Sequence, residues 1–246
     1  MVPDALILFT ADVHLGSEDR GLVNRFLRFL ESAPGGATVI LLGDIFDRWV
    51  GPGQENIPPY REVLETVADI RRRGRLVRWL DGNRDFLIGR HLRRTGLADV
   101  AAGEALHLKV GGENPVALTA LHGDVLFPHD AAYRLWRRIS RSRLFQKTSD
   151  ILPFPVRSRL GRGLRFWSDR KNLRTRSVEF SVSPGRAIPF FRAGADAIVH
   201  GHAHREGMTE ISTPWGAKRI FSLGAWNETG GSVLRVENGE FHFERF

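Results

Sequence analysis

Asp12-Val13-His14 sets a carboxylate and an imidazole two residues apart. On extended backbone that spacing turns both side chains to one side, where they can share an ion. His200-Gly201-His202 repeats the i, i+2 spacing around a glycine that permits close backbone approach. Gly43-Asp44 brings a carboxylate whose two oxygens can bridge a pair of ions, with Asp47 in support. Gly82-Asn83-Arg84-Asp85 offers an amide oxygen and, beside it, a guanidinium that matches phosphate oxygens bidentately. His122-Gly123-Asp124 adds an imidazole with a carboxylate able to orient it. His204 is left to a supporting or substrate-facing role. Asp12, His14, Asp44, Asn83, His122, His200 and His202 are therefore the expected metal ligands, all oxygen or nitrogen donors. Such a set suits manganese, with iron or zinc as alternatives, better than an all-oxygen magnesium site. Two divalent ions activating water against a phosphate ester or anhydride is the chemistry it suits best.

Taken singly, each motif has an ordinary reading: a solvated loop for Asp-x-His, a helix N-cap for Asp44, a turn for Gly-Asn-Arg-Asp. Their positions argue otherwise, because each ends a short apolar run. The runs are Leu6–Phe9, Thr38–Leu42, Leu76–Leu80, Val116–Leu121 and Ala197–Val199. An α/β fold gathers its ligands beyond the carboxyl ends of its strands. The order reads as strand 6–12, helix 20–31, strand 38–43, helix 60–73 and strand 75–80, followed by paired strands 105–110 and 116–121. Residues 130–190 break that rhythm and read as a helical insertion, a lid within a single domain spanning 1–246. Strand-like runs return at 219–223, 233–236 and 240–243, the last two joined by an Asn238-Gly239 hairpin turn.

Composition narrows the class. The 246 residues include no cysteine, which excludes disulfides, thiolate metal sites and cysteine catalysis. No apolar stretch approaches the ~20 residues a membrane span needs. The N-terminus shows no basic n-region and no cleavage site, so no signal peptide is expected; the expected location is cytoplasmic. The net charge of +8 is concentrated in one place. Residues 134–176 hold 14 Lys and Arg against two acids, which leaves the rest of the chain with 22 basic and 26 acidic residues. A +12 segment interleaved with Trp136, Phe154, Phe166 and Trp167 expects a polyanion, an anionic membrane surface or a phosphorylated substrate.

The series Asp-x-His, Gly-Asp-x-x-Asp, Gly-Asn-x-Asp, His-Gly-Asp and Gly-His-x-His resembles the calcineurin-like metallophosphoesterases. The resemblance implies an α/β fold of two packed sheets flanked by helices, with two divalent metal ions. Gly82-Asn83-Arg84-Asp85-Phe86-Leu87, Asp130 and Tyr133 after His122-Gly123-Asp124, and Leu223-Gly224-Ala225-Trp226 are similar to the branch acting on UDP-2,3-diacylglucosamine in lipid A biosynthesis. That implies a hydrolase yielding the diacylglucosamine 1-phosphate and UMP, peripheral on the inner face of the cell membrane. Carried over by position, Asp12, His14, Asp44 and His202 hold one ion. Asp44, Asn83, His122 and His200 hold the other. Asp44, Arg84 and His200 are the implied catalytic residues. Asn83, Arg84, Asp130, Tyr133, Ser168, Asn172, Arg174, Arg176 and His200 meet the substrate. The implied partners are a nucleotide-linked glycolipid and an anionic membrane, with no stable nucleic-acid partner. The alternatives are a phosphodiesterase on nucleic acid or a cyclic nucleotide, since cations and aromatics also suit a phosphate backbone, and a non-catalytic binding protein on the same fold.

Overall fold

The computed structural model describes residues 6–16, 18–128, 131–142, 144–146, 151–163 and 182–246. Two sheets face each other. The first has six strands in the order β11-β10-β1-β2-β3-β4, and the second five in the order β5-β6-β7-β9-β8. In the first, β1 (Ile7–Thr10), β2 (Thr38–Leu41), β3 (Leu76–Trp79) and the short β4 (Asp99–Val100) run parallel. An antiparallel hairpin, β10 (Ser232–Glu237) with β11 (Glu240–Arg245), completes it. In the second, β6 (Val116–Leu121), β7 (Ala197–His200) and β9 (Gly216–Ser222) are parallel. The edge strands β5 (Ala105–Val110) and β8 (Gly207–Thr213) pair antiparallel with β6 and β9.

Alternation along the strands explains why both faces of β1 and β2 are buried. Ile7, Phe9, Ile40 and Leu42 point between the sheets, where they meet Leu118, Val199, Phe221 and Leu234. Leu8, Val39, Leu41, Val77 and Trp79 point outward under α1 (Arg20–Ser32) and α2 (Tyr60–Arg72). Helix α1 starts at Asp19, whose side chain accepts the Leu22 N–H at 2.8 Å, and it buries Leu22, Val23, Phe26, Phe29 and Leu30. On the outer face of the second sheet, Ile198 packs under Ala187 and Phe191. Those two belong to the last helix, Pro184–Arg192. The paired strands 105–110 and 116–121 match their expected spans, and Asn238 and Gly239 both take positive φ in the hairpin turn. Helix α3 (Ile88–Thr95) and strands β4 and β8 were not anticipated.

Between β6 and β7 the chain leaves the sheet for the basic segment. There the described residues form α4 (Ala131–Ser140) and a helical stretch at 154–163. The segment is drawn together at its neck, where Ser183 N–H donates to Leu126 O at 3.1 Å. Among the described residues no helix is long and apolar enough to cross a membrane.

The Gly224-Ala225-Trp226 turn ties the C-terminal strands to the end of β1. Trp226 N–H donates to Asp12 O at 3.1 Å, and its indole N–H to Thr10 Oγ1 at 2.7 Å; that hydroxyl in turn donates to Ser232 O at 2.9 Å. The indole lies edge-on to Phe26 and Phe29, and a Cβ at Gly231 would run into it. Trp226→Ala is expected to lower stability by about 3–5 kcal/mol through the cavity it leaves. Trp226→Phe, losing chiefly the indole hydrogen bond, should cost about 1 kcal/mol. Urea unfolding checks both, and equal losses would show that ring volume does not dominate.

Candidate metal centre

Past their last ladder bonds, β1 and β2 continue side by side as loops. Asp12 N–H donates to Gly43 O at 3.2 Å, His14 N–H to Asp44 O at 2.9 Å and Leu15 N–H to Ile45 O at 2.9 Å. This zipper brings Asp12 and His14 alongside Asp44. The third strand's loop is attached through Asp85, which is fully buried. Its Oδ1 accepts from Asp44 N–H (3.1 Å) and Gly82 N–H (3.0 Å), and its Oδ2 from Ile45 N–H (2.9 Å) and Phe46 N–H (3.3 Å). Burial, reinforced by the neighbouring Asp44 charge, pushes the Asp85 carboxyl up to about 7. Space is tight, since a Cβ on Gly82 would fall 2.8 Å from Asp85 Oδ1 and one on Gly201 2.5 Å from Asp12 Oδ2.

The second sheet supplies the histidines. His122, just beyond β6, points its Nδ1 at Leu42 O (2.9 Å) and its Nε2 at Asn83 Oδ1 (2.7 Å). A carbonyl only accepts, so Nδ1 carries the proton there and Nε2 is left to face the amide oxygen. His202 Nδ1 approaches the same Asn83 oxygen at 3.1 Å, while His202 N–H donates to Asp12 Oδ2 at 2.6 Å. His204 Nε2 lies 3.1 Å from His14 Nε2 and 3.6 Å from Asp12 Oδ1. Two sets of donor atoms result, Asp12 with His14 and His204, and Asp12 with Asp44 and His122.

The donors fit divalent ions on their own chemistry. Asp12 Oδ1 and His14 Nδ1 are buried without a hydrogen-bond partner. The His122 Nε2 and Asn83 Oδ1 pair sets two acceptor atoms against each other, which calls for a proton or a cation. Burial alone would raise the Asp12 carboxyl, but the facing His204, His122 and His14 rings hold it below the usual carboxylate range. Burial would lower His122, and the Asp44 and Asp12 carboxylates outweigh it and raise the ring. His14 is driven well down by burial and the Arg84 charge, leaving it neutral, the form that binds a metal.

Asp12, His14, Asp44, Asn83, His122 and His202 are thus brought together. His200 belongs to neither donor set. It is the last residue of β7 and shares the parity of Ile198; its ring lies 5.7 Å from that of Phe127, and its buried Nε2 has no hydrogen-bond partner. His200 Nδ1 faces Gly201 O at 2.7 Å, and burial takes the ring down to about 4. His202 and His204 form a second i, i+2 pair, and both lie past the end of β7, whereas His200 is its last residue. The backbone marks the same selection. Asp12, His14, Asp44, His202 and His204 have φ between 53 and 68°, and the other non-glycine residue with positive φ among those described is Asn238 of the hairpin turn. Left-handed backbone costs a non-glycine residue about 1 kcal/mol and clusters at functional sites.

Around this centre Arg84 N–H donates to Asp44 Oδ1 at 2.8 Å, and its guanidinium lies 3.7 Å from Asp44 and 3.6 Å from Asp47. Tyr133 donates to Asp124 Oδ2 at 3.2 Å, beside Arg137 Nε at 2.6 Å, so α4 is fastened to the His122-Gly123-Asp124 turn. Glu104 joins the same network through Arg137 and Arg141. Asp124, expected to orient an imidazole, and Tyr133, expected to meet substrate, are thus joined by Arg137, Arg141 and Glu104, for which the sequence carries no such expectation, and the sequence assigns Asp85 no role. Asp130, Ser168, Asn172, Arg174 and Arg176 lie outside the described residues.

A protein whose two mixed sheets deliver oxygen and imidazole donors to one shared edge is built as a metal-dependent phosphoesterase. The chain belongs to the calcineurin-like phosphoesterase family, whose model matches residues 5–206. It is 32% identical over 241 residues to the UDP-2,3-diacylglucosamine hydrolase of Aeromonas salmonicida (strain A449), covering 97% of this chain and 92% of that one. It is likewise 32% identical over 239 residues to the UDP-2,3-diacylglucosamine hydrolase of Edwardsiella ictaluri (strain 93-146), covering 96% and 90%.

His204→Gly is expected to weaken metal binding sharply while leaving the metal-free protein as stable or about 1 kcal/mol more so, since glycine adopts positive φ freely. His200→Leu should do the reverse, keeping metal and losing stability. Metal titration by calorimetry and melting in chelator separate the two, and loss of metal from His200→Leu alone would make His200 and His202 the ligand pair.

Proposed function

We propose that the chain hydrolyses the diphosphate of UDP-2,3-diacylglucosamine to 2,3-diacylglucosamine 1-phosphate and UMP, with Asp12, His14, Asp44 and His204 holding one divalent ion and Asp44, Asn83, His122 and His202 the other. Manganese is the metal favoured for mixed oxygen and imidazole donors. Bound there, two such ions supply Lewis acidity and a water of lowered pKa, and stabilise charge on the phosphoryl oxygens. The chain's own residues do the rest. Arg84, held against Asp44 and Asp47 and partly open to solvent, presents its guanidinium to a phosphate oxygen. Asp85 keeps Asp44 and the Gly82-Asn83 loop at fixed separation, and Leu42 O fixes the His122 tautomer.

The observation that carries the lipid reading is the insertion beside this centre. Trp136 and Phe145 pack against Phe86, two residues from Arg84, while Leu135, Ile139, Leu144, Ile151 and Leu160 remain exposed. Exposed apolar residues among cations suit acyl chains attached to a charged diphosphate better than a bare nucleotide. The relatives named as UDP-2,3-diacylglucosamine hydrolases support the same substrate. A cationic, apolar surface of this kind also supports peripheral attachment to an anionic membrane, each basic residue near the leaflet adding about 1 kcal/mol.

Incubation with manganese and UDP-2,3-diacylglucosamine should release UMP, detected by mass. Asp44→Ala should abolish turnover, and Arg84→Ala should keep bound metal and melting temperature yet reduce kcat/KM at least about 100-fold. Oligonucleotide cleavage without lipid hydrolysis would favour the nuclease alternative. Binding to vesicles should rise with anionic lipid and fall with salt, and sedimentation indifferent to both would remove the membrane from the picture.

A further inference from the structure

Arg157 is 7% exposed, and among the described residues no carboxylate lies within ion-pair distance of it. Its guanidinium instead spends its donors on three main-chain carbonyls. Nε donates to Leu152 O at 2.9 Å, Nη1 to Val50 O at 2.8 Å and Nη2 to Pro52 O at 2.7 Å. The first lies within the insertion; the other two lie on the Gly/Pro loop that follows Asp47-Arg48-Trp49. A buried cation is retained only where such charge-assisted bonds replace its hydration.

The loop it grips leads directly to the site. Gln54 receives Val50 N–H at 2.7 Å and donates to Arg48 O at 2.8 Å, making the loop a closed unit. Trp49 N–H donates to Arg84 O at 3.2 Å, and Arg48 lies 3.5 Å from Asp47, which itself faces Arg84. Packing against the helical stretch 154–163 is close as well: a Cβ at Gly53 would meet the Phe154 ring at 3.4 Å, and one at Gly161 would fall 2.7 Å from Val50 Cγ1. One hydrogen-bonded path therefore runs from the insertion through residues 48–54 to the main chain of Arg84.

We infer that Arg157 is a positioning residue that locks the insertion onto the 48–54 loop, and so sets the preference for substrates that reach from the metal centre onto the insertion. The inference rests on the lipid-substrate reading above for its substrate, not for the lock itself. Lysine keeps the charge but offers one donor centre where the fork reaches three carbonyls.

Three variants test it: Arg157→Gln, Arg157→Lys and Gly161→Leu, the last prying the same interface apart without touching Arg157. Each is loaded with manganese and assayed on UDP-2,3-diacylglucosamine and on bis(para-nitrophenyl) phosphate, and hydrogen exchange is followed at residues 48–57. In Arg157→Gln and Gly161→Leu, KM for the lipid substrate should rise about tenfold while kcat and turnover of the small diester stay within about twofold. Arg157→Lys should fall between these and wild type, and exchange at 48–57 should quicken in all three. Equal loss on both substrates, or lipid KM unchanged in every variant, would overturn the proposal. If wild-type protein leaves UDP-2,3-diacylglucosamine intact, the substrate reading falls. Exchange then decides the lock by itself, with unchanged protection at 48–57 refuting it.

Discussion

Asp85 is the fastening on which the centre depends. Four backbone N–H groups, three from the loop after β2 and one from the loop after β3, converge on its two oxygens, so a single carboxylate sets the distance between Asp44 and Asn83. Both residues hold the second proposed ion, and Asp44 is common to the two sites. Burial and the Asp44 charge work against ionising Asp85, and the N–H bonds work for it. Asp85 is fully buried, and Phe46, one of its N–H donors, packs against Trp49 and Trp79.

The second constraint is conformational. The two sheets end at one edge, and the chain must turn sharply there while aiming polar side chains back across the gap. Left-handed backbone at Asp12, His14, Asp44, His202 and His204 achieves this. Each of these residues gives up conformational energy that a glycine would not, a cost tolerated where a side chain is needed at that position.

Most of the frame was legible in the sequence because its cause is periodicity. The apolar runs of β1, β2, β6 and β7 and the amphipathic faces of α1 and α2 announce themselves. Strand β8 escaped because it is an exposed edge with no apolar face, and α3 because basic residues cover so much of its surface. The residue types at the centre were legible too, but His-Gly-His-Ala-His contains two equivalent pairs. Which pair serves depends on where β7 stops and on which face its last residue points, neither of which spacing reveals. Asp85 stood in plain view within Gly-Asn-Arg-Asp, yet three of its four N–H partners, Asp44, Ile45 and Phe46, lie 39 to 41 residues away. Arg157 was one arginine in a run of them until the carbonyls around it were known.

The hydrogen bond from Ser183 to Leu126 closes the neck of the insertion. Everything between those residues is a loop with its ends already joined. The entropy of closing such a loop grows only logarithmically, by about 0.6 kcal/mol for each doubling of its length. Closure entropy alone thus makes the hydrolytic core nearly indifferent to how much chain is looped out there, provided that the contacts of Tyr133 and Arg137 with Asp124, and of Arg157 with Val50 and Pro52, are kept. Evolution, or an engineer, can exchange that segment and redirect the same phosphate chemistry to a different molecule while the two sheets and their shared edge remain as they are.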